Sequence, residues 1–208
     1  LQAGRAQDKT APMQAAPLPP GALRIAELGY LSIPVLAPYD HQGVFWLTRY
    51  QANLLLFDEE GQPLDLLSVL PAVEHTALDR PVQVSEHRFR CRLVAVRVPP
   101  QVAEQRRRKI RAEAKDKGRT PSARQLALCD WVIFLTNVPS ERLSVAELLV
   151  LARARWQIEL LFKLWKSHGQ VDESRSAKPY RVLCEVYAKL LAMLLQHWVT
   201  ITCGWAHP

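Results

Sequence analysis

Four side chains in the third quarter of the chain have the types and spacing to do chemistry together: Arg155, Glu159, Lys163 and Lys166. On a helix turning about 100° per residue, Arg155, Glu159 and Lys166 fall within roughly 40° of one another, and Lys163 sits just beside them. A carboxylate held between cations admits two chemistries. One is a solvated face with i,i+4 pairs such as Glu159–Lys163, worth tenths of a kcal/mol. The other is a metal-ligating carboxylate flanked by phosphate-binding cations. Trp156, beside the stripe, could pack in a core or stack on an unpaired base. Periodicity alone does not choose.

These residues need a helix to hold them, and the sequence supplies one. No Pro or Gly occurs from Ser144 to His168, Ser144 and Glu147 have capping-box spacing, and Gly169 provides a stop. Leu151, Ile158, Leu160, Leu161, Leu164 and Trp165 fill the rest of the circumference. The pattern predicts one long, mostly buried helix with a narrow polar stripe. A further carboxylate ends an early strand. Leu23–Glu27 reads as a short strand, Leu28-Gly29-Tyr30 as a turn, and Ser32 to about Asp40 as a helix with Pro34 in its first turn. A strand ending in a carboxylate, then a Gly turn and a helix, is where a central sheet presents a ligand. A strand-end Glu facing solvent is the plain alternative.

The pattern Arg155-x3-Glu159-x6-Lys166 resembles the Y-x2-R-x3-E-x6-K signature of the insertion-sequence-four family of DDE transposases. Arg-Trp-x-Ile-Glu followed by Trp-Lys strengthens the likeness. The resemblance implies that Glu159 is the last member of an Asp-Asp-Glu metal triad on a helix packed against an RNase H-like sheet. It implies that Arg155 and Lys166, with Lys163 beside them, hold transposon-end phosphates, and that Trp156 can face the DNA end. The signature's tyrosine falls on Ala152. The strand at Leu23–Glu27 resembles the family's second aspartate region, with Glu27 at the aspartate position. A glutamate keeps the charge but moves it outward by one methylene, and two-metal phosphoryl transfer tolerates little displacement. By resemblance the cofactor is Mg2+ or Mn2+, ligated by Glu159 and Glu27. The partner is double-stranded DNA at transposon ends, with a homodimer in the DNA complex an option.

Composition fits without naming the partner. The chain has 208 residues, is 49% hydrophobic and carries a net charge of +7, enough for a core and suited to a polyanion. The first residue is Leu, which suggests a fragment, and no first aspartate is found. Cys91, Cys129, Cys184 and Cys203 are widely spaced and form no CxxC, so they read as isolated reduced thiols of a cytoplasmic protein. The six histidines are scattered without ligand spacing, and no P-loop, HExxH or GxSxG occurs. The segment from Val182 to Cys203, interrupted by Glu185, Lys189, Gln196 and His197, reads as falling short of a membrane span and as a buried helix. Its expected packing face holds Tyr180, Leu183, Tyr187, Leu190, Leu191, Leu194 and Leu195.

Between the two carboxylates the chain looks rich in strands. Residues 43–48, 53–57, 82–84 and 88–98 read as strands, 64–70 as a short helix, and Asp130–Thr136 as the most buried strand. In 88–98, Phe89, Cys91 and Leu93 alternate with Arg88, Arg90 and Arg92, either a solvated face or a strip that tracks phosphates. Gln101–Lys117 is a charged helix carrying Arg106, Arg107, Arg108, Lys109 and Arg111, either solvated or set against a DNA backbone. Related transposases carry a strand-rich, DNA-contacting insertion between the second aspartate and the glutamate, and 43–128 has that position.

The expected fold is therefore α/β: an RNase H-like core, incomplete at its N-terminus, formed by 21–42 and 129–208. A linker precedes it at 1–20, and 43–128 forms a strand-rich insertion with a basic helix. The resemblance implies metal-dependent DNA cleavage and strand transfer, with this chain inactive because its triad is incomplete. A non-catalytic DNA-binding remnant and an unrelated soluble α/β protein are the alternatives.

Overall fold

The structure is a computed structural model that describes residues 16–26, 31–73 and 76–206. The chain divides into two compact units, 1–149 and 150–208.

The first unit is built on one six-stranded sheet in the order β1-β2-β6-β5-β4-β3. Strand β1 (Leu23–Ala26) runs parallel to β2 (Phe45–Arg49), in a register that sets Leu23 beside Phe45 and Ala26 beside Thr48. A parallel pair needs a crossover, and helix α1 (Ile33–His41) supplies it. Ser32 caps α1 with an extended backbone, and Pro34 sits in the first turn, where its missing N–H costs nothing. The helix buries Leu36 and Tyr39. It ends before Gly43, whose φ of +65° suits glycine, and Val44 N–H then reaches back to the Tyr39 carbonyl at 2.9 Å.

The other four strands are antiparallel: β3 (Leu56–Phe57), β4 (Ala77–Val84), β5 (Phe89–Arg97) and β6 (Trp131–Thr136). Strand β6 lies between β2 and β5, which explains its near-continuous apolar run. The sheet draws strands from all three ranges 21–42, 43–128 and 129–208, and β2 joins β1 and α1 in one βαβ unit. One face carries the core: Trp46, Leu93, Ala95, Ile133 and Leu135 pack with Leu36 and Tyr39 of α1 and with Leu66 and Leu70. Leu66 belongs to the short helix α2 (Leu66–Val69), whose cap Asp65 accepts the Leu67 N–H.

The expected row of arginines on β5 does not form. Arg92 is buried, with its guanidinium on the Asp79 carboxylate and on the carbonyls of Val138 and Leu143. Arg88 precedes the strand; its guanidinium lies 3.3 Å from the Phe57 ring centroid and donates to the Gly61 carbonyl. Arg90 alone of the three remains an exposed residue of the strand. The basic helix is present as α3 (Pro100–Asp116) and is followed by α4 (Ala123–Ala127). Arg106 donates to the Trp131 carbonyl, and Arg107 to Leu126 and Asp130, so these two fasten α3 to the start of β6.

The predicted long helix is divided. Helix α5 (Val145–Ala154) begins with the expected capping box: the Glu147 N–H donates to Ser144 Oγ at 3.3 Å, and the Ser144 N–H donates to the Glu147 carboxylate at 2.9 Å. Helix α6 (Trp156–Ser167) follows after a turn at Arg155. Arg155 keeps helical dihedrals and its N–H still reaches Leu151, but its carbonyl accepts from Ile158, a tighter i,i+3 bond.

In the second unit no residue of α6 is buried, contrary to the expectation of a mostly buried helix. Ile158, Leu160 and Phe162 are each about half exposed. Helix α6 ends at Ser167, and just beyond it a Cβ on Gly169 would stand 2.7 Å from the Trp165 carbonyl oxygen and 3.2 Å from Met193, so only glycine fits. The last helix, α7 (Pro179–Ala206), is mostly exposed among its described side chains. Tyr180, Tyr187, Leu191, Leu194 and Leu195, expected on its packing face, are more than half exposed, and among its described side chains only Met193 is buried. The apolar residues of α7 occupy more than one face, and the Met193 side is the one that packs. By length and mean hydropathy (1.3 over Pro179–Gly204) α7 does reach the threshold of a bilayer-spanning helix, where the sequence reading placed it short.

Candidate functional site

The geometry around Glu159 begins with the backbone. Arg155 ends the tight turn before α6, and Glu159 lies one turn further on, so their side chains share a face. Arg155 Nη2 donates to Glu159 Oε1 at 3.0 Å. Both side chains are sheltered, at 21% and 33% exposure, so the pair is neither buried nor fully washed by water. Lys163, one turn beyond, does not take the place of Arg155; its ammonium lies 5.7 Å from the Trp156 ring centroid, a cation–π contact on the surface. Trp156 is 51% exposed and open to a stacking partner. Lys166 is exposed in the last turn of α6, where the helix dipole favours a cation. Ala152, at the place of the signature's tyrosine, is half-buried.

Glu27 lies outside the described residues, as do Leu28-Gly29-Tyr30. What is described is its approach: β1 ends at Ala26, beside Thr48 of β2. Among the described residues no group of three His, Cys, Asp or Glu side chains converges as a metal site. Two-metal chemistry needs several carboxylate oxygens around ions about 3.5–4 Å apart. Glu159 brings one carboxylate, and one of its oxygens is engaged by Arg155. The described residues alone therefore do not make a metal centre. Asp172 and Glu173 are exposed in the loop before α7, as expected of solvated loop carboxylates.

Two features escaped sequence reasoning. Asn137 ties the end of β6 to α1 and β2: its Nδ2 donates to Asp40 Oδ1 at 2.6 Å and to the Val44 carbonyl at 3.0 Å, and its Oδ1 accepts the Trp46 N–H at 2.7 Å. Beside it lies a groove of about 720 Å3 lined by Asp79, Arg80, Arg90, Arg92, Asn137 and Glu141, among others. Its cations come from two strands, and only their pairing brings the residues together. All four cysteines are free, as the spacing predicts.

Comparison with known proteins gives the family. Residues 2–195 match the family model described as "Transposase DDE domain". The chain is 28% identical over 197 residues to a transposase for insertion sequence element IS231F of Bacillus thuringiensis subsp. israelensis, covering 86% of this chain and 41% of that protein. It is 27% identical over 216 residues to the IS231E transposase of Bacillus thuringiensis subsp. finitimus, covering 94% and 45%. It is 24% identical over 199 residues to the IS1151 transposase of Clostridium perfringens, covering 86% and 42%. The chain thus spans about two-fifths of the length of these relatives. The likeness to the insertion-sequence-four group is coherent with these matches, and the mixed six-stranded sheet with its helices is an α/β, RNase H-like arrangement. On the match across residues 2–195, this chain belongs to the transposase DDE domain family.

Proposed function

We propose that the chain is part of a transposase that engages duplex DNA at transposon ends and takes part in metal-dependent strand cleavage and transfer. The observation that carries the reading is the Arg155–Glu159 pair at 3.0 Å on α6, in a chain matched to the DDE domain along nearly all its length. In this reading Glu159 is a metal-ligating carboxylate, and Glu27 is the other that the chain offers. Arg155 holds Glu159 in place and, with Lys163 and Lys166, attracts phosphates, while Trp156 stacks against an exposed base. Mg2+ or Mn2+, when bound, supplies the activation of a water or 3′-hydroxyl for attack on phosphorus. The core segments are 21–42 and 129–208, the insertion 43–128 and the linker 1–20. A homodimer in the DNA complex and a cytoplasmic location belong to the same reading.

The 208-residue chain by itself is expected to bind duplex DNA without cutting it. Glu27 stands where the family has an aspartate, no first aspartate is found, and the signature's tyrosine is Ala152. The test is a nicking assay on duplex DNA with purified chain and Mg2+. No nicking is the expected result; nicking that Glu159→Ala abolishes would overturn the inactivity.

The engagement of Glu159 by Arg155 also favours a second reading, a DNA-binding remnant without catalysis. Binding measured with and without Mg2+ separates the two. A metal ligand predicts that Mg2+ strengthens duplex binding and that Glu159→Gln removes the effect. A remnant predicts the same affinity in both cases.

A further inference from the structure

Arg155 is turned to a carboxylate at the place where the proposed function needs it for a phosphate. Its Nη2 donates to Glu159 Oε1 at 3.0 Å, with the two side chains 21% and 33% exposed. Lys163 does not share the task, since its ammonium lies over the Trp156 ring at 5.7 Å. A phosphate on the same guanidinium would stand beside the Glu159 carboxylate, anion against anion, so the two compete for one cation. The backbone does not have to move for the exchange. Arg155 keeps helical dihedrals, its N–H is bonded to Leu151 and its carbonyl to Ile158, so rotation of the side chain is enough.

We propose that Arg155 is a shared cation: it holds Glu159 in the chain without DNA, passes to a DNA phosphate when duplex binds, and so releases Glu159 only on DNA. Glu159 is then an internal competitor of the duplex, an autoinhibitory contact built into one turn of helix. This exchange rests on the reading of the α6 stripe as a DNA contact. Two physical terms favour the handover. An i,i+4 pair open to water is weak, whereas a guanidinium meets a phosphate through two parallel charge-assisted hydrogen bonds. Glu159 also lies in the first turn of α6, where the helix dipole favours an anion, so the carboxylate keeps part of its stabilisation after the guanidinium leaves. The pair is strong enough to be felt in binding and too weak to prevent it.

The experiment is a double-mutant cycle on the purified full chain, read by fluorescence anisotropy with a labelled mixed-sequence duplex in EDTA, so that no divalent ion takes part. Glu159→Gln, which removes the competitor, should tighten binding by about two- to fivefold, the worth of a surface ion pair. Arg155→Gln should weaken binding and lower the slope of log affinity against log salt by about 0.9, the value of one phosphate contact. Arg155→Lys, which keeps the charge and loses the fork, should fall between that variant and the wild type. In the Arg155→Gln chain, Glu159→Gln should give little or none of its gain, because the cation it competes for is gone. An equal gain in both backgrounds overturns the proposal and leaves the DNA reading intact: Glu159 would then act only by repelling phosphate. So does a Glu159→Gln chain that binds no tighter than the wild type. If Arg155→Gln changes neither affinity nor salt slope, DNA does not engage the stripe, and the reading falls together with the exchange. Glutamine and lysine are good helix formers, and circular dichroism checks that each variant keeps its helices.

Discussion

Arg92 grips Asp79 from the neighbouring strand: Nε donates to Oδ1 at 2.7 Å, Nη2 to Oδ2, and Nη1 turns away to the carbonyls of Val138 and Leu143. Pro81 is the direct partner of Arg92 in the ladder, so Asp79 is its diagonal neighbour, within reach of a long side chain. One planar cation thus ties the β4–β5 hairpin to the segment that leads into α5. Asp79 holds the guanidinium firmly charged through that hydrogen bond, against the cost of its burial.

Breaking this contact from the acidic side should do the greater damage. Asp79→Ala leaves a largely buried guanidinium with only carbonyl partners, and removing one partner of a buried pair typically costs about 3–5 kcal/mol. Asp79 is partly exposed, so the lower end of that range is expected here. Arg92→Lys should also destabilise, because an ammonium cannot make the bidentate fork and reach two carbonyls. Urea unfolding followed by circular dichroism measures both. A change below about 0.5 kcal/mol for Asp79→Ala would show that the pair is incidental.

Thr48 presents the opposite case. Its Oγ1 is buried without a hydrogen-bond partner, alone in this among the described residues. An unsatisfied buried hydroxyl costs about 1–3 kcal/mol, and valine has the same shape and the same preference for strands. Thr48→Val should therefore stabilise the chain by about 1 kcal/mol, raising Tm by roughly 2–4 °C for a chain of this length. A lower Tm would mean that the hydroxyl has a partner in solution.

Much of the chain's local structure was legible because it depends on near neighbours. The Ser144–Glu147 capping box, the Pro34 start of α1 and the apolar run of β6 are all present in the fold. What failed depended on distant partners. Alternation in 88–98 set Arg88, Arg90 and Arg92 on one face, but the acid that buries Arg92 lies in the first half of β4, read from sequence only at 82–84. The turn at Arg155 has no Pro or Gly to announce it and keeps helical dihedrals. Burial of α6 and α7 was inferred from hydrophobicity, which cannot say which of two apolar faces finds a partner. The Arg155–Glu159 contact was legible in outline, since i,i+4 spacing puts the two on one face, though the sequence reading named Lys163 as an example of the partner.

The thiols should separate by burial and by pH. Cys91 is buried, and burial, with Asp40 nearby, holds its thiol far above the usual range; burial raises Cys129 as well. A thiol-reactive dye at pH 8 should label Cys184 and Cys203, both exposed, and reach the other two only on unfolding. A raised thiol keeps its proton in the folded chain while the unfolded chain ionises. Its contribution to stability is whole below about pH 8.5, the ordinary thiol value, and declines as pH rises above it. Cys91→Val should flatten that alkaline loss of Tm. At the acid end, Asp65 and Glu147 are held below the usual carboxylate range by hydrogen bonds. Asp65 is drawn down first by the Leu67 N–H and then by Arg124, and Glu147 by Ser144. Their contribution is present above about pH 4 and is lost as pH falls through their lowered values.

Helix α3 allows a sharper test, because its basic run does two jobs at neighbouring positions. Arg106 and Arg107 face the start of β6 and donate to Trp131, Leu126 and Asp130. Arg108 and Lys109 are 77% and 80% exposed and Arg111 53%, and among the described residues they pair with Glu104 and Glu113 at 3.4–3.9 Å. Such surface pairs are worth under about 1 kcal/mol, so a phosphate could displace the carboxylates. Replacing Arg108, Lys109 and Arg111 together by Gln should weaken duplex binding at low salt and leave Tm unchanged. If all three meet phosphates, the slope of log affinity against log salt should shrink by up to about 3, at about 0.9 per contact. Arg107→Ala should do the reverse: it lowers Tm by removing the contacts to Asp130 and the Leu126 carbonyl, while the salt slope holds. Fluorescence anisotropy with a labelled duplex over 50–300 mM salt gives the first quantity, and thermal unfolding the second. An unchanged slope in the triple variant would make the outer face of α3 a solvated surface.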